Sequence, residues 1–296
     1  MKCEFLNKEE KMSTMQPLDA EKVLLEIWNL LHDINITFFL RHGTCLGAVR
    51  DGKLISWDDD IDIGSIIGMH NLNESSIDRA IKKFADSNFE VKVSKTDFHI
   101  GVELSKYNIP IDWSCYRVHE ESILQYPGVK IPTHLYEELR SVPLLGKSFY
   151  VPNPPEEYLT LKYGPNWRIP KRKGFEADII DSIPESINLS KSSFLTRVSK
   201  FLFPKKYLTR IQILSSDLQP LPNVEVTIVG FSKQVTDHNG NIMFKIADKG
   251  DYALDIGSGE AREILYEEIL EPGKEYTYVQ DIIEKQGRLH VLHEKT

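Results

Sequence analysis

A chain of 296 residues that is 41% hydrophobic, 10% aromatic and 27% charged has material for one good core and a second, smaller one. Its formal net charge of -8 and pI near 5.7 argue against a general nucleic-acid binder, whose hold on phosphate needs a basic surface. The opening "MKCEFLNKEEKMSTMQ" has no apolar leader and no later run reaches the length of a membrane-spanning helix, so the expected compartment is the cytoplasm.

Cys3, Cys45 and Cys115 are odd in number and lack CxxC spacing. They read as reduced thiols, with Cys45 and Cys115 packed inside. The first element is "PLDAEKVLLEIWNLLHDINI", where Asp19 can cap and Ala20, Val23, Leu24, Ile27, Trp28 and Leu31 recur at helical spacing. "ITFFL" follows as a short apolar strand that runs into His42-Gly43-Thr44. "CLGAVRDGKLI" reads as a short helix closed by Asp51-Gly52. In "SWDDDIDIGSII" a period of two puts Asp58, Asp60 and Asp62 on one face of a strand and Asp59, Ile61 and Ile63 on the other.

Three carboxylates on one strand face cannot all stay ionised without a compensating cation. A divalent ion with oxygen ligands resolves this, and magnesium, with manganese as a substitute, is the expected metal on Asp58, Asp60 and Asp62. A calcium EF-hand loop fails, because its sixth and twelfth positions would hold Ile63 and Met69. Magnesium on few carboxylates takes further ligands from substrate phosphate. Gly43 and Thr44, between strand and helix, offer backbone N–H groups and a hydroxyl to phosphate, with Arg50 and Lys53 as cationic partners for a diphosphate.

A Gly-Thr turn followed by a strand bearing Asp-x-Asp resembles the nucleotidyltransferase fold. More narrowly, "HGTCLGAVRDGKLISWDDDIDIG" resembles the signature of the LicD family, which includes fukutin and fukutin-related protein. Cys45 stands where an apolar residue is usual and Ser56 where proline is usual. The resemblance runs over roughly residues 20 to 175. It implies transfer of a phosphorylated alcohol, such as phosphocholine or ribitol phosphate, from a CDP-alcohol donor to a glycan or glycolipid hydroxyl, with release of CMP. It also implies a further carboxylate on a later strand. Asp112, the lone acid of "NIPIDWSCY", fits that place, and either Asp112 or Asp58 would serve as general base.

Upstream, "FEVKVSKTDFHIGVELSKY" alternates as a hairpin leading into that strand. "PNPPEEYLTLKYGPNWRIP" resembles the Tyr-Gly-Pro-rich close of LicD domains, and its Tyr158, Tyr163 and Trp167 either line a pocket or pack. His42 adjoins the turn and either touches substrate or packs. "KSSFLTRVSKFLFPKKYLTR", residues 191–210, lacks acids and interleaves basic with apolar residues. It reads as a peripheral membrane contact, although Pro204 splits it and packing on the catalytic domain is the other reading.

From Ile211 the pattern is β, with alternation at Val224, Val226 and Ile228 and an Asn-Gly turn in "TDHNGNIMF". The Thr-Asp-x-x-Gly then Gly-x-Tyr arrangement resembles carboxypeptidase-regulatory-like and transthyretin-like sandwiches. The expected organisation is an N-terminal extension (1–18), an α/β (α+β) nucleotidyltransferase-like catalytic domain with a mixed sheet (19–180), a basic amphipathic linker (181–208), a small all-β sandwich (209–284) and a tail (285–296). Two other functions share these features. One is transfer of a nucleoside monophosphate to a small molecule or protein. The other is non-catalytic glycan binding on a disabled transferase.

Overall fold

The computed structural model describes residues 15–181, 183, 207–281, 283, 285 and 287–295. Packing divides the chain into two compact units, one ending at Pro170 and the other beginning at Lys171.

The first unit opens with α1 (Pro17–Asp33), whose Ala20, Val23, Leu24, Ile27 and Leu31 are buried, as the helical spacing predicts, while Trp28 of the same stripe is half-buried. Asp19 lies in the first turn and does not cap, because the N-cap is Gln16. The short strand β1 (Phe39–Leu40) leads to α2 (His42–Arg50), which Asp51 terminates. Then come β2 (Ile61–Ile66), α3 (Glu74–Asp86), β3 (Glu90–Lys95), β4 (His99–Lys106) and β5 (Ile109–Tyr116). Asn73 caps α3 by accepting the Ser76 N–H at 2.9 Å.

These strands form one mixed sheet in the order β1-β2-β5-β4-β3. The β3–β4 hairpin and the β4–β5 pair are antiparallel, and β2 runs parallel to β5. That parallel register aligns Ile61 with Ile111, Asp62 with Asp112 and Ile63 with Trp113. Ile61, Ile63, Ile111 and Trp113 are buried, and Trp113 packs edge-on against Phe84 of α3. The apolar side chains therefore fix the register, and the register brings two distant aspartates together. Cys45 and Cys115 are buried free thiols, as expected. Two hairpins, β6 (Ser122–Gln125) with β7 (Val129–Pro132) and β8 (Arg140–Leu144) with β9 (Lys147–Val151), precede α4 (Pro155–Tyr163).

The second unit contains α5 (Phe175–Ile180) and a β-rich region of two sheets. One sheet has the order β13-β10-β16-β18, built from β10 (Leu208–Leu214), β13 (Asn241–Lys245), β16 (Glu275–Val279) and β18 (His293–Glu294). The other has the order β12-β11-β14-β15-β17, built from β11 (Glu225–Ile228), β12 (Ser232–Val235), β14 (Gly250–Ile256), β15 (Glu263–Leu270) and β17 (Arg288–Leu289). Ile211, Ile213, Phe244 and Tyr278 from the first sheet share a core with Val226, Ile228, Leu254 and Leu265 from the second. This is the burial pattern of a sandwich. Of the basic stretch 191–210, residues 191–206 lie outside the described residues. Its end, from Leu208, is the start of β10, so Thr209 is buried in the sheet.

Candidate functional site

The acidic run does not form one strand face. The strand starts at Ile61, and Asp58, Asp59 and Asp60 sit in the segment just before it. The expected alternation of Asp58, Asp60 and Asp62 thus begins three residues too early. Aspartates pair poorly in a strand interior, and like charges lined up on one face repel, so the chain turns before the sheet begins. As a result Asp59, expected on the opposite face, joins the cluster. One carboxylate oxygen from each of Asp58, Asp59 and Asp60 lies within 4.8 Å of the others.

The charges of this cluster are poorly compensated. Burial, with Asp62 and Asp59 nearby, pushes Asp58 up to about 8. Burial and the same neighbours raise Asp60 well above the usual carboxylate range, and burial raises Asp59. A group of hard oxygen donors whose ionisation is opposed first by burial and then by one another fits a divalent cation such as magnesium, whose charge would offset both.

Asp62 lies behind the cluster, where its backbone N–H donates to the Thr44 hydroxyl at 2.8 Å. Its side chain sits 3.0 Å from Nη2 of Arg41, and the same nitrogen reaches Asp112 at 2.5 Å. Burial lifts Asp62 to about 6 although the Arg41 guanidinium opposes the shift. Burial also disfavours the charge of Arg41, but Asp112, Tyr116 and Asp62 outweigh that and hold the guanidinium protonated.

Gly43 and Thr44 fall in the first turn of α2, not in a turn ahead of it. A Cβ on Gly43 would meet Asp58 Oδ2 at 2.4 Å, so glycine is what lets the helix start approach this carboxylate. Thr44 is buried, and its hydroxyl accepts the Asp62 N–H. His42 opens the helix at φ 44°, with its N–H donated to the Tyr158 hydroxyl at 3.0 Å. Tyr158, fully buried, in turn donates to Gln125. Burial, Lys162 and Arg41 lower His42 well below the ordinary imidazole range, so it sits neutral against the Arg41 guanidinium.

Arg50 is engaged by the neighbouring Asp51 at 2.7 Å. Lys53 lines a shallow cleft of about 360 Å³ with Asp51, Leu54, Ile55, Ser56 and Trp57, which ends one residue before Asp58. The structure thus gathers Asp58, Asp60, Asp62, Asp112, Gly43 and Thr44, while Arg50 and Lys53 lie at the far end of α2 and just beyond it. Sequence reasoning misses Arg41 and Asp59. Arg41 stands between "ITFFL" and the quoted signature, which begins one residue later; its only signal is a charge wedged between an apolar strand and a buried helix start.

Paired acids on neighbouring parallel strands, an acidic loop before one of them and a helix start at its side define a site suited to handling phosphate through a bound cation. Residues 35–154 match the model for LicD/FKTN/FKRP, nucleotidyltransferase domain, which supports the LicD resemblance and points to transferase chemistry for this segment. The uncharacterized protein RP689 of Rickettsia prowazekii (strain Madrid E) is 25% identical over 246 residues, covering 78% of this chain and 83% of that protein. That span is longer than the first unit, so the likeness runs into the second. The uncharacterized protein RT0683 of Rickettsia typhi (strain ATCC VR-144 / Wilmington) is 31% identical over 88 residues, covering 30% of this chain and 27% of that protein.

Proposed function

We propose that the chain is a metal-dependent phosphotransferase that moves a phosphorylated alcohol, phosphocholine or a similar group, from a CDP-alcohol to a hydroxyl of a cell-surface glycan or glycolipid. The observation that carries this reading is the under-compensated Asp58–Asp59–Asp60 cluster, packed against Gly43, within the segment that matches the LicD model.

Asp58 and Asp60 would hold the cation, with Asp62 behind them. Bound magnesium would neutralise charge on the donor diphosphate and favour departure of CMP. The protein's own groups would do the rest. The N–H groups at the start of α2 would orient the diphosphate, Arg50 and Lys53 being outer partners. In the transfer, the acceptor oxygen bonds to the alcohol-bearing phosphorus. The bond from that phosphorus to the bridging oxygen breaks, and CMP leaves with the electron pair. The acceptor proton passes to Asp112, 40% of whose side chain is exposed, or to Asp58. Among the described residues no helix is long and apolar enough to cross a membrane. In this reading a lipid-linked acceptor would be met at a membrane surface on the cytoplasmic side.

The family description itself favours a second reading, transfer of a nucleoside monophosphate. Product analysis separates the two. Incubation with magnesium and CDP-choline, CDP-ribitol or CDP-glycerol should release CMP from one donor, and EDTA should stop it. Pyrophosphate release from CTP, ATP or UTP, with no CMP from any CDP-alcohol, would overturn the phosphotransferase reading in favour of the second.

A further inference from the structure

The parallel register of β2 and β5 places Asp62 directly beside Asp112. Registered neighbours on one sheet face have their side chains about 5 Å apart, so two carboxylates there repel unless a cation joins them. The chain supplies that cation itself. One nitrogen of Arg41, Nη2, contacts both carboxylates, Asp62 Oδ1 at 3.0 Å and Asp112 Oδ2 at 2.5 Å.

The rest of the guanidinium is also fixed. Nε donates to the Ile63 carbonyl at 3.0 Å, and Nη1 lies 3.0 Å from Nε2 of the His42 ring. The Arg41 side chain is only 4% exposed. A planar fork held at three edges cannot swing away when substrate arrives, as a surface arginine could.

Where two carboxylates from adjacent strands converge in a phosphoryl-transfer site, a second divalent ion can bridge them and activate the nucleophile. Here the guanidinium occupies the space between them. We propose that Arg41 is a built-in cation that takes the place of a second metal ion, so that the chain binds one divalent ion, at the Asp58–Asp60 loop. Arg41 is then a positioning residue that acts through Asp62 and Asp112 and touches neither donor nor acceptor. With no second ion to polarise the acceptor hydroxyl, its proton must be taken by a carboxylate alone. This inference rests on the reading of the Asp58–Asp60 loop as a cation site.

The test is a count of Mn²⁺ bound per full-length chain, with the free ion followed by electron paramagnetic resonance. One tightly held ion is expected in the wild type and in Arg41→Lys, which keeps the charge. Two are expected in Arg41→Gln, where the neutral amide leaves Asp62 and Asp112 to recruit another. Two ions in the wild type overturn the inference while leaving the cation-site reading intact, as does a single ion in a folded Arg41→Gln protein. No ion in the wild type overturns the cation-site reading and the inference with it. Circular dichroism reports whether Arg41→Gln folds; if it does not, the wild-type count decides alone.

Discussion

The two units bury acids in opposite ways. In the β-rich unit Glu268 is buried, yet its two oxygens accept the backbone N–H groups of Val291 and Leu292, each at 2.9 Å. Burial still raises it, but those donors oppose the shift, and the carboxylate pins the C-terminal segment to β15. Glu263 accepts from the Tyr278 hydroxyl and from the Asp281 N–H. In the first unit Asp58, Asp59 and Asp60 have chiefly one another for neighbours, and burial and mutual repulsion push Asp58 to about 8. A buried acid met by local donors is part of the structure. Acids gathered mainly against one another hold on to their protons instead, and an incoming cation takes the place of those protons.

Substitutions in the two regions should therefore separate activity from stability. The largest effect is expected for Asp60→Asn, where loss of a cation ligand should lower turnover by about 10³-fold. The melting temperature should hold or rise, because a neutral amide replaces a carboxyl whose ionisation burial and its neighbours oppose. A folded variant with normal CMP release would erase the contrast between the regions. Next is Gly43→Ala, whose methyl group must displace the Asp58 carboxylate. Shifting that group by about 1 Å should lower turnover by about 10²-fold, and chemical denaturation should show little change in stability.

Glu268→Ala should do the reverse. With two partly buried N–H donors left without acceptors, urea denaturation should show a loss of about 1 kcal/mol, while turnover per folded molecule stays unchanged. A drop in turnover at full stability would mean that the β-rich unit takes part in the reaction.

The smallest effect is one of pH. Asp58 rises from an ordinary 3.8 to about 8 in the fold, so between those values the folded state keeps a proton that the unfolded chain has released. That contribution to stability is complete below the unfolded value and is lost as pH rises through about 8. A cation competes with the same proton, so the gain in melting temperature from magnesium should grow between about pH 5 and about pH 8. A gain independent of pH would place the ion elsewhere.

Much of the first unit is legible from local pattern. The buried stripe of α1, the β3–β4 hairpin and the strand around Asp112 follow from periodicity and from one acid in an apolar run. What stays hidden is set by pairing between distant segments. The start of β2 at Ile61 depends on Ile111 as its neighbour, and that register decides that Asp62 meets Asp112 while Asp58 and Asp60 stay in the loop. Arg41 becomes meaningful only once those two acids stand side by side. Thr44 shows the same limit, because its hydroxyl is given to the Asp62 N–H through a contact that no local spacing announces.

The most direct test of the cation site is the melting temperature of the wild type and of Asp58→Asn/Asp60→Asn, each with and without magnesium at about pH 9, above the value near 8 to which Asp58 is raised, so that its proton competes little. A clear rise for the wild type and none for the double variant is the expected result. An equal rise in both proteins, or none in the wild type, would contradict the assignment of the Asp58–Asp60 loop as the place where the metal binds.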